Sequence, residues 1–456
     1  MDAADLMFAG ISHQAQMVRA GEVSSAELVQ ACLDRIEALD PQLNAWRIVL
    51  ADKALAEAAQ ADGRRGAGDE RPLLGVPIAI KDDIDVAGTT TAWGTSAHGP
   101  EKAEDAEVVR RLREAGAVVV GKTNVPEMTI WPFTETPTFG ATRNPWDTSR
   151  STGGSSGGTG AAVASGMVGA GMGSDGGGSI RIPAAWCGLY GLKPTRDLVP
   201  IAPHDDAWQG LSVNGALTRS VADTALFLSA TTGQPFTAAP PDRKLTIAWS
   251  VKKLPGQAPV PRVDKEILGA VESTVKLLES LGHTVVQRDP DYGMGAFWSF
   301  LARYLRGIAD DVETMPHPER LEKRTHGMAR MGRMWPAKRV AKFRANEAAM
   351  RDRIWNSIEA DVFLTPTTAL LPPPVGKWEG KGAFTTLNGV AGFVPFNALF
   401  NATGQPAAAV PAGFAGNGLP MSVQLVAPMG ADQLLLSLSA QLEGERPWAG
   451  KRPPVS

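Results

Sequence analysis

Two serines sit in glycine-rich strings that could build a reaction centre out of backbone. One string is Ser151-Thr152-Gly153-Gly154-Ser155-Ser156-Gly157-Gly158. The other is Gly173-Ser174-Asp175-Gly176-Gly177-Gly178-Ser179-Ile180-Arg181-Ile182-Pro183. A triple glycine leading into a serine suits an oxyanion hole, because successive N–H groups converge on one point when no Cβ crowds them. The Ser179 hydroxyl would then lie beside the N–H groups of Gly176, Gly177, Gly178 and Ser179, where negative charge develops. Asp175 and Arg181, which flank the serine, could pair and fix the loop. A purely structural turn is the plain alternative. For the octet the plain alternative is a flexible linker, but the apolar stretch Ala161–Met172 follows at once, where a linker would stay polar. That stretch reads as a buried helix.

A serine nucleophile needs a base. Histidine is scarce, with only His13, His98, His204, His283, His317 and His326, and none has a telling context. Gly153 to Gly157 also spells G-x-S-x-G, the nucleophile elbow of α/β-hydrolases, which requires an acid and then a histidine downstream. The last histidine, His326, falls inside a helical stretch far from the C-terminus, and no HGGG string precedes the octet, so the elbow is disfavoured. The other available base is a neutral lysine. Lys81 ends the apolar run Leu73–Ile80, read as a buried strand, where burial would depress its pKa. Asp82 and Asp83 would oppose that shift if they pointed the same way; strand alternation sends at least Asp82 to the other face. An isolated lysine at a strand end is more often a solvated tip, so the residues alone leave the base open.

Two strings imitate nucleotide sites. Gly116 to Thr123 fits G-x-x-x-x-G-K-S/T, but its four middle residues read as a strand and Pro126 discourages a helix after it. Gly171 to Gly176 fits G-x-G-x-x-G, but it follows a stretch read as helix rather than a strand.

The elements that must hold these residues alternate between strand and helix, an α/β pattern. Residues 24–39 read as an amphipathic helix opened by a Ser24/Glu27 capping box. Further helices are expected at 48–61, 104–115, 265–281 and 432–443. Strands are expected at 118–120, 246–250, 284–287, 362–364 and 422–426. From about Phe297 to Trp355 the chain is helical and rich in Met and Trp, including Met328, Met331, Met334 and Trp335. This stretch is either a surface insertion with its own small core or an apolar cap over a pocket. Leu370–Phe384 reads as a Pro/Gly-rich loop. With 456 residues and 43% apolar content, a large core is available. A net charge of −3 gives no reason to expect nucleic acid or an anionic membrane. Two cysteines, Cys32 and Cys187, exclude a disulfide framework or a cysteine zinc site. No apolar run reaches the roughly 18 residues needed to span a bilayer, and Met1–Ala9 lacks the basic start of a signal peptide. A soluble, cytoplasmic protein with no metal and no cofactor is expected.

Lys81, the octet and the string Gly176–Arg181 together resemble the amidase signature family. Ser155 and Ser179 stand 24 residues apart, the family's spacing between its two catalytic serines. Flanking segments agree: Gly75–Asp82, Gly121–Asn124, Phe139–Trp146, Gly191–Thr195, Pro395–Asn397 and Gly418–Val426. The resemblance covers most of the chain and is weakest over about 290–360. It implies one domain over 1–456, with a mixed β-sheet sandwiched between layers of α-helices. The core would occupy about 65–290 and 360–445, and a helical insertion at about 290–360 would lie near the substrate entrance. It further implies Lys81 as general base, Ser155 as proton relay, Ser179 as nucleophile, and Ser156, Asp175 and Arg181 in support. The peptide bond before the relay serine, Gly154–Ser155, is expected to be cis. One departure is Gly176, where the family usually has a larger residue, often threonine; a looser loop is expected there.

The implied reaction is hydrolysis of the C–N bond of an amide through an acyl-enzyme. The partner would be a small-molecule amide, and the chain a monomer or homodimer. The polar clamps of a glutamine-hydrolysing amidotransferase subunit are not recognisable. A catalytically silent binding protein on the same fold would have little reason to keep Lys81, Ser155 and Ser179 together. The expected pocket residues are apolar: Met128, Ile130, Trp131, Phe133, Phe393, Phe396 and Phe400. They favour a hydrophobic or aryl amide, with carbamates (urethanes) and esters as further substrates.

Overall fold

The computed structural model describes residues 2–256 and 262–456. Among these, eleven strands form one mixed sheet: β1 Trp46–Val49, β2 Pro77–Lys81, β3 Val118–Thr123, β4 Ala170–Asp175, β5 Tyr190–Lys193, β6 Val213–Thr218, β7 Thr246–Trp249, β8 Thr284–Gln287, β9 Val362–Pro366, β10 Ala407–Phe414 and β11 Pro420–Val426. Their spatial order is β1-β3-β2-β4-β6-β5-β10-β11-β9-β7-β8. The runs β3-β2-β4 and β9-β7-β8 are parallel. The remaining pairings are antiparallel.

The sheet is covered on both faces, and the strand period shows how. In β2, Ile78 and Ile80 enter one core with Val109 and Leu112 of the Glu107–Glu114 helix and Val271 of the Lys265–Ser280 helix. Ala79, between them, enters the opposite core with Leu28 and Ile36 of the Ser25–Leu43 helix and Ala161 of the Gly157–Ala164 helix. Burial on both sides is why β2 reads as a continuous apolar run rather than an alternating one. The Ser24/Glu27 capping box is formed, with each partner bonding the other's backbone.

Some expected elements differ: the helix expected at 48–61 runs over Ala51–Gly66, behind the strand β1 at Trp46–Val49. Ala161–Met172 is not a single helix: the helix ends at Ala164, and Ala170 opens β4. Gly166, with φ of 69°, turns the chain between them. The strand was hidden because its residues are small. A Cβ at Gly171 would lie 2.4 Å from Thr159 Cγ2, so the helix packs on this strand at a distance only glycine permits. The G-x-G-x-x-G string therefore begins inside a strand, not behind a helix.

The 290–360 stretch contains the helices Gly295–Thr314, Lys323–Arg333, Ala337–Ala345 and Glu347–Ile358. Their apolar faces do not form a separate core. Ile308, Val312, Met328 and Ile354 pack with Phe363 of β9, Ala407 of β10 and Val426 of β11. None of the described helices is long and apolar enough to cross a membrane.

Candidate active site

The candidate centre lies at the C-terminal ends of the adjacent parallel strands β2 and β4, where open α/β sheets place their ligands. Lys81 is the last residue of β2, and Ser174 and Asp175 are the last two of β4. Ile80 is in register with Met172, so the Lys81 side chain reaches the end of β4. The lysine is fully buried. Its Nζ donates to Ser155 Oγ at 2.7 Å and to Ser174 Oγ at 2.6 Å, and it stands 3.1 Å from Asp83 Oδ2. Ser174 Oγ in turn donates to Asp83 Oδ2 at 2.5 Å. Burial pushes the Lys81 amine below its usual range, and the Asp83 carboxylate, with Asp175 further off, opposes that shift.

Ser155 is buried and follows a cis peptide bond from Gly154. The octet glycines are bare because neighbouring backbone, and at Gly157 the side chains of Thr134 and Thr152, occupy their side-chain space. A Cβ at Gly154 would lie 2.6 Å from the Trp131 carbonyl oxygen, and one at Gly158 would lie 2.5 Å from the Asn124 nitrogen. Ser156 joins the octet to the second string. Its N–H donates to the Ser179 carbonyl at 3.2 Å, and its Oγ donates to the Ser174 carbonyl at 3.2 Å.

Asp175 and Arg181 form a doubly hydrogen-bonded ion pair, 3.0 and 2.9 Å, with both side chains fully buried. Burial alone would raise the Asp175 carboxyl, but the charge and hydrogen bonds of Arg181, with Asn401, hold it well below the usual carboxylate range. The carboxylate also organises the loop, accepting from the N–H of Gly178 at 2.6 Å and of Ile180 at 3.1 Å. Arg181 reaches on to the Asn397 carbonyl, Gln424 Oε1 and Asn401 Oδ1. The Gly178 N–H, one of the four expected oxyanion donors, is therefore committed to Asp175.

Ser179 and Gly177 open onto a cavity of about 470 Å³. Of the expected pocket residues, Ile130 and Trp131 line it. The others lie elsewhere, each claimed by other packing. Met128 and Phe133 border other cavities. Phe400 packs on Phe363, Phe396 is buried, and Phe393 meets Trp186 and Trp378 edge-on. Much of the wall comes instead from the insertion, through Phe297, Trp298, Phe300, Leu301, Tyr304 and Met331, and from Phe384, Leu387 and Asn388 of the Ala383–Ala391 helix. None of the described lining residues carries a charge.

The looser loop expected at Gly176 is not found. A Cβ there would lie 2.6 Å from Trp208 Cε3, so an indole fills the place of the missing side chain. Sequence reasoning weighed Asp83 only as a charge that could oppose the Lys81 shift, and passed over Ser174. The phosphate-site imitation at Gly116–Thr123 runs into the strand β3, Val118–Thr123, and its Lys122 is paired with Asp82 at 2.8 Å. Among the histidines, His283 is a core residue bonded to the Leu245 N–H and to Gln441.

A glycine-lined loop ending in a serine, backed by a buried lysine and a second serine on a mixed α/β sheet, defines a class of hydrolase, and comparison with known proteins agrees. A family model described as Amidase matches residues 27–436; the chain belongs to this family, the amidase-signature hydrolases. Over its full length it is 52% identical to the full length of "Putative amidase AmiB2" of Mycobacterium tuberculosis (strain ATCC 25618 / H37Rv). The structure of 6-aminohexanoate cyclic dimer hydrolase complexed with substrate superposes with a TM-score of 0.86 at 30% identity, covering 98% of this chain and 99% of that one. A bacterial aryl acylamidase of the amidase signature family shares the fold, with a TM-score of 0.83 at 24% identity over 99% of both chains.

Proposed function

We propose that this amidase hydrolyses uncharged, hydrophobic amides through an acyl-enzyme on Ser179, with Lys81 as general base and Ser155 as relay. The observation that carries the mechanism is the 2.7 Å contact between the buried Lys81 Nζ and Ser155 Oγ. A neutral amine keeps two N–H donors, which Ser174 Oγ and Asp83 can accept, and turns its lone pair to the Ser155 hydroxyl. Lys81 then takes the proton of Ser155 as Ser155 takes that of Ser179. Ser179 Oγ attacks the amide carbon, and the oxyanion is held by the N–H groups of Gly176, Gly177 and Ser179. The proton returns through Ser155 to the departing amine, the C–N bond breaks, and an ester on Ser179 remains. Water, deprotonated along the same relay, hydrolyses it.

The uncharged, aromatic wall of the cavity beside Ser179 supports the substrate class. A free amino-acid amide such as glutamine would bring an ammonium and a carboxylate into a space where none of the described side chains could pair them. The relative named for the cyclic dimer of 6-aminohexanoate fits this reading, since ring closure leaves that molecule no free amine or acid. Anilides are expected to be the best substrates, with aryl carbamates and esters as further ones. The test is a hydrolysis screen of anilides, primary amides, glutamine, aryl carbamates and esters, with Ser179→Ala as control. Preference for glutamine over apolar anilides would overturn the substrate class.

A further inference from the structure

We propose that Trp208 is a positioning residue for the oxyanion loop, holding the N–H groups of Gly176 and Gly177 in place by filling the space that a side chain at position 176 would take. This inference rests on the proposed role of Ser179 and its loop, and extends it to a residue that the mechanism itself does not require. A Cβ at Gly176 would lie 2.6 Å from Trp208 Cε3 and 2.8 Å from Ser212 Oγ. The ring is fixed from other sides as well. Its Nε1 donates to Asp311 Oδ2 at 2.6 Å, and Tyr304 meets it edge-on with centroids 5.2 Å apart. A Cβ at Gly307 would lie 2.7 Å from Trp208 Cα, so the backbone also presses on the helix that carries Asp311 and Tyr304.

Trp208 has φ of 52°, a left-handed conformation that a bulky residue adopts only where its surroundings impose it. The indole thus ties the Gly295–Thr314 helix to the loop. It also stands between two spaces, lining both the apolar cavity of Ser179 and a second cavity bordered by Asp83, Asp85, Asp206 and Asp311. A brace of this kind acts on where the oxyanion is held, so its loss is read in kcat more than in KM.

The test is a double-mutant cycle in the full-length enzyme on one apolar anilide, with folding checked by thermal unfolding. Gly176→Ala should lower kcat roughly tenfold, because its methyl displaces the ring, and Trp208→Ala should lower kcat by a similar factor. The double variant should regain about fivefold over Gly176→Ala alone, since the methyl then enters vacated space. Losses that simply multiply would overturn the proposal. If Trp208→Ala does not fold, Asp311 decides. Asp311→Asn keeps an oxygen acceptor for the indole N–H and should retain about five times the kcat of Asp311→Leu, and equal values for the two would overturn the brace. Ser179→Ala in the same assay separates the two levels. Activity surviving in that variant would sink the nucleophile assignment, whereas an inactive Ser179→Ala with a multiplicative cycle would sink only the role of Trp208.

Discussion

Lys81 is a buried amine under two opposed influences, and on the proposed mechanism their balance sets the pH at which the enzyme works. Burial favours the neutral form; the Asp83 carboxylate, 3.1 Å away, favours the ammonium. On the proposed mechanism the rate falls on the acid side as Lys81 takes up a proton. Asp83→Asn removes the group that helps hold that proton, so Lys81 loses it at lower pH. The acid limb of kcat/KM against pH should move to lower pH in this variant, and a move to higher pH would contradict the assignment. Ser179 stands out in the sequence as a candidate nucleophile because three glycines before a serine have a direct physical meaning. Lys81 became a candidate base only through the family resemblance, and the sequence left open whether Asp83 faces it. Strand alternation stops at Lys81, the last residue of β2. A turn follows, in which the Ile84 N–H donates to the Lys81 carbonyl at 3.1 Å and brings Asp83 back to the lysine. Ser174 was hidden for a different reason: it read as one more small residue in a glycine string, and its role depends on β4 running beside β2.

At the scale of elements, the site depends on how closely the Gly157–Ala164 helix sits on β4, since that packing joins the two serine strings. Gly171 is the contact that allows it. Gly171→Ala would place a methyl 2.4 Å from Thr159 Cγ2 and should cost about 1–3 kcal/mol by overpacking. A urea unfolding midpoint unchanged from wild type would show that the two elements are not so closely fitted. The same glycine explains what was misread. Apolar periodicity and caps located Thr284–Gln287 and the Ser25–Leu43 helix well. The stretch Ala-Gly-Met-Gly in β4 has none of the β-branched residues that mark a strand, because the helix above it leaves them no room. The letters of the phosphate-site string were likewise outweighed by context, since β3 is a strand paired on both sides, by β1 and β2, and its lysine pairs with Asp82.

Across the whole molecule, the insertion supplies much of the apolar wall beside Ser179, and on the proposed function it is what selects the substrate. Its helices share the core of β9, β10 and β11, and the Gly295–Thr314 helix lays Phe297, Phe300 and Tyr304 along the wall of the Ser179 cavity. Lengthening an apolar acyl chain should therefore raise kcat/KM by about fourfold per methylene, the equivalent of ~0.8 kcal/mol, until the cavity is full. A terminal carboxylate on the same chain should abolish the gain. A flat series of acyl anilides would show that the acyl group does not enter this cavity. The sequence pointed to an apolar pocket, but most of the residues it named do not line the Ser179 cavity, because aromatics such as Phe400 are spent on the sheet core. The insertion residues that form the wall lie more than a hundred positions from Ser179, and only the fold brings them together. The central claim, that Ser179 is the nucleophile, is tested most directly by labelling with a fluorophosphonate and locating the adduct by peptide mass spectrometry. The account predicts an adduct on Ser179, lost in Ser179→Ala together with roughly 10⁴-fold or more of the hydrolytic rate; an adduct on Ser155, or near-wild-type hydrolysis by Ser179→Ala, would contradict it.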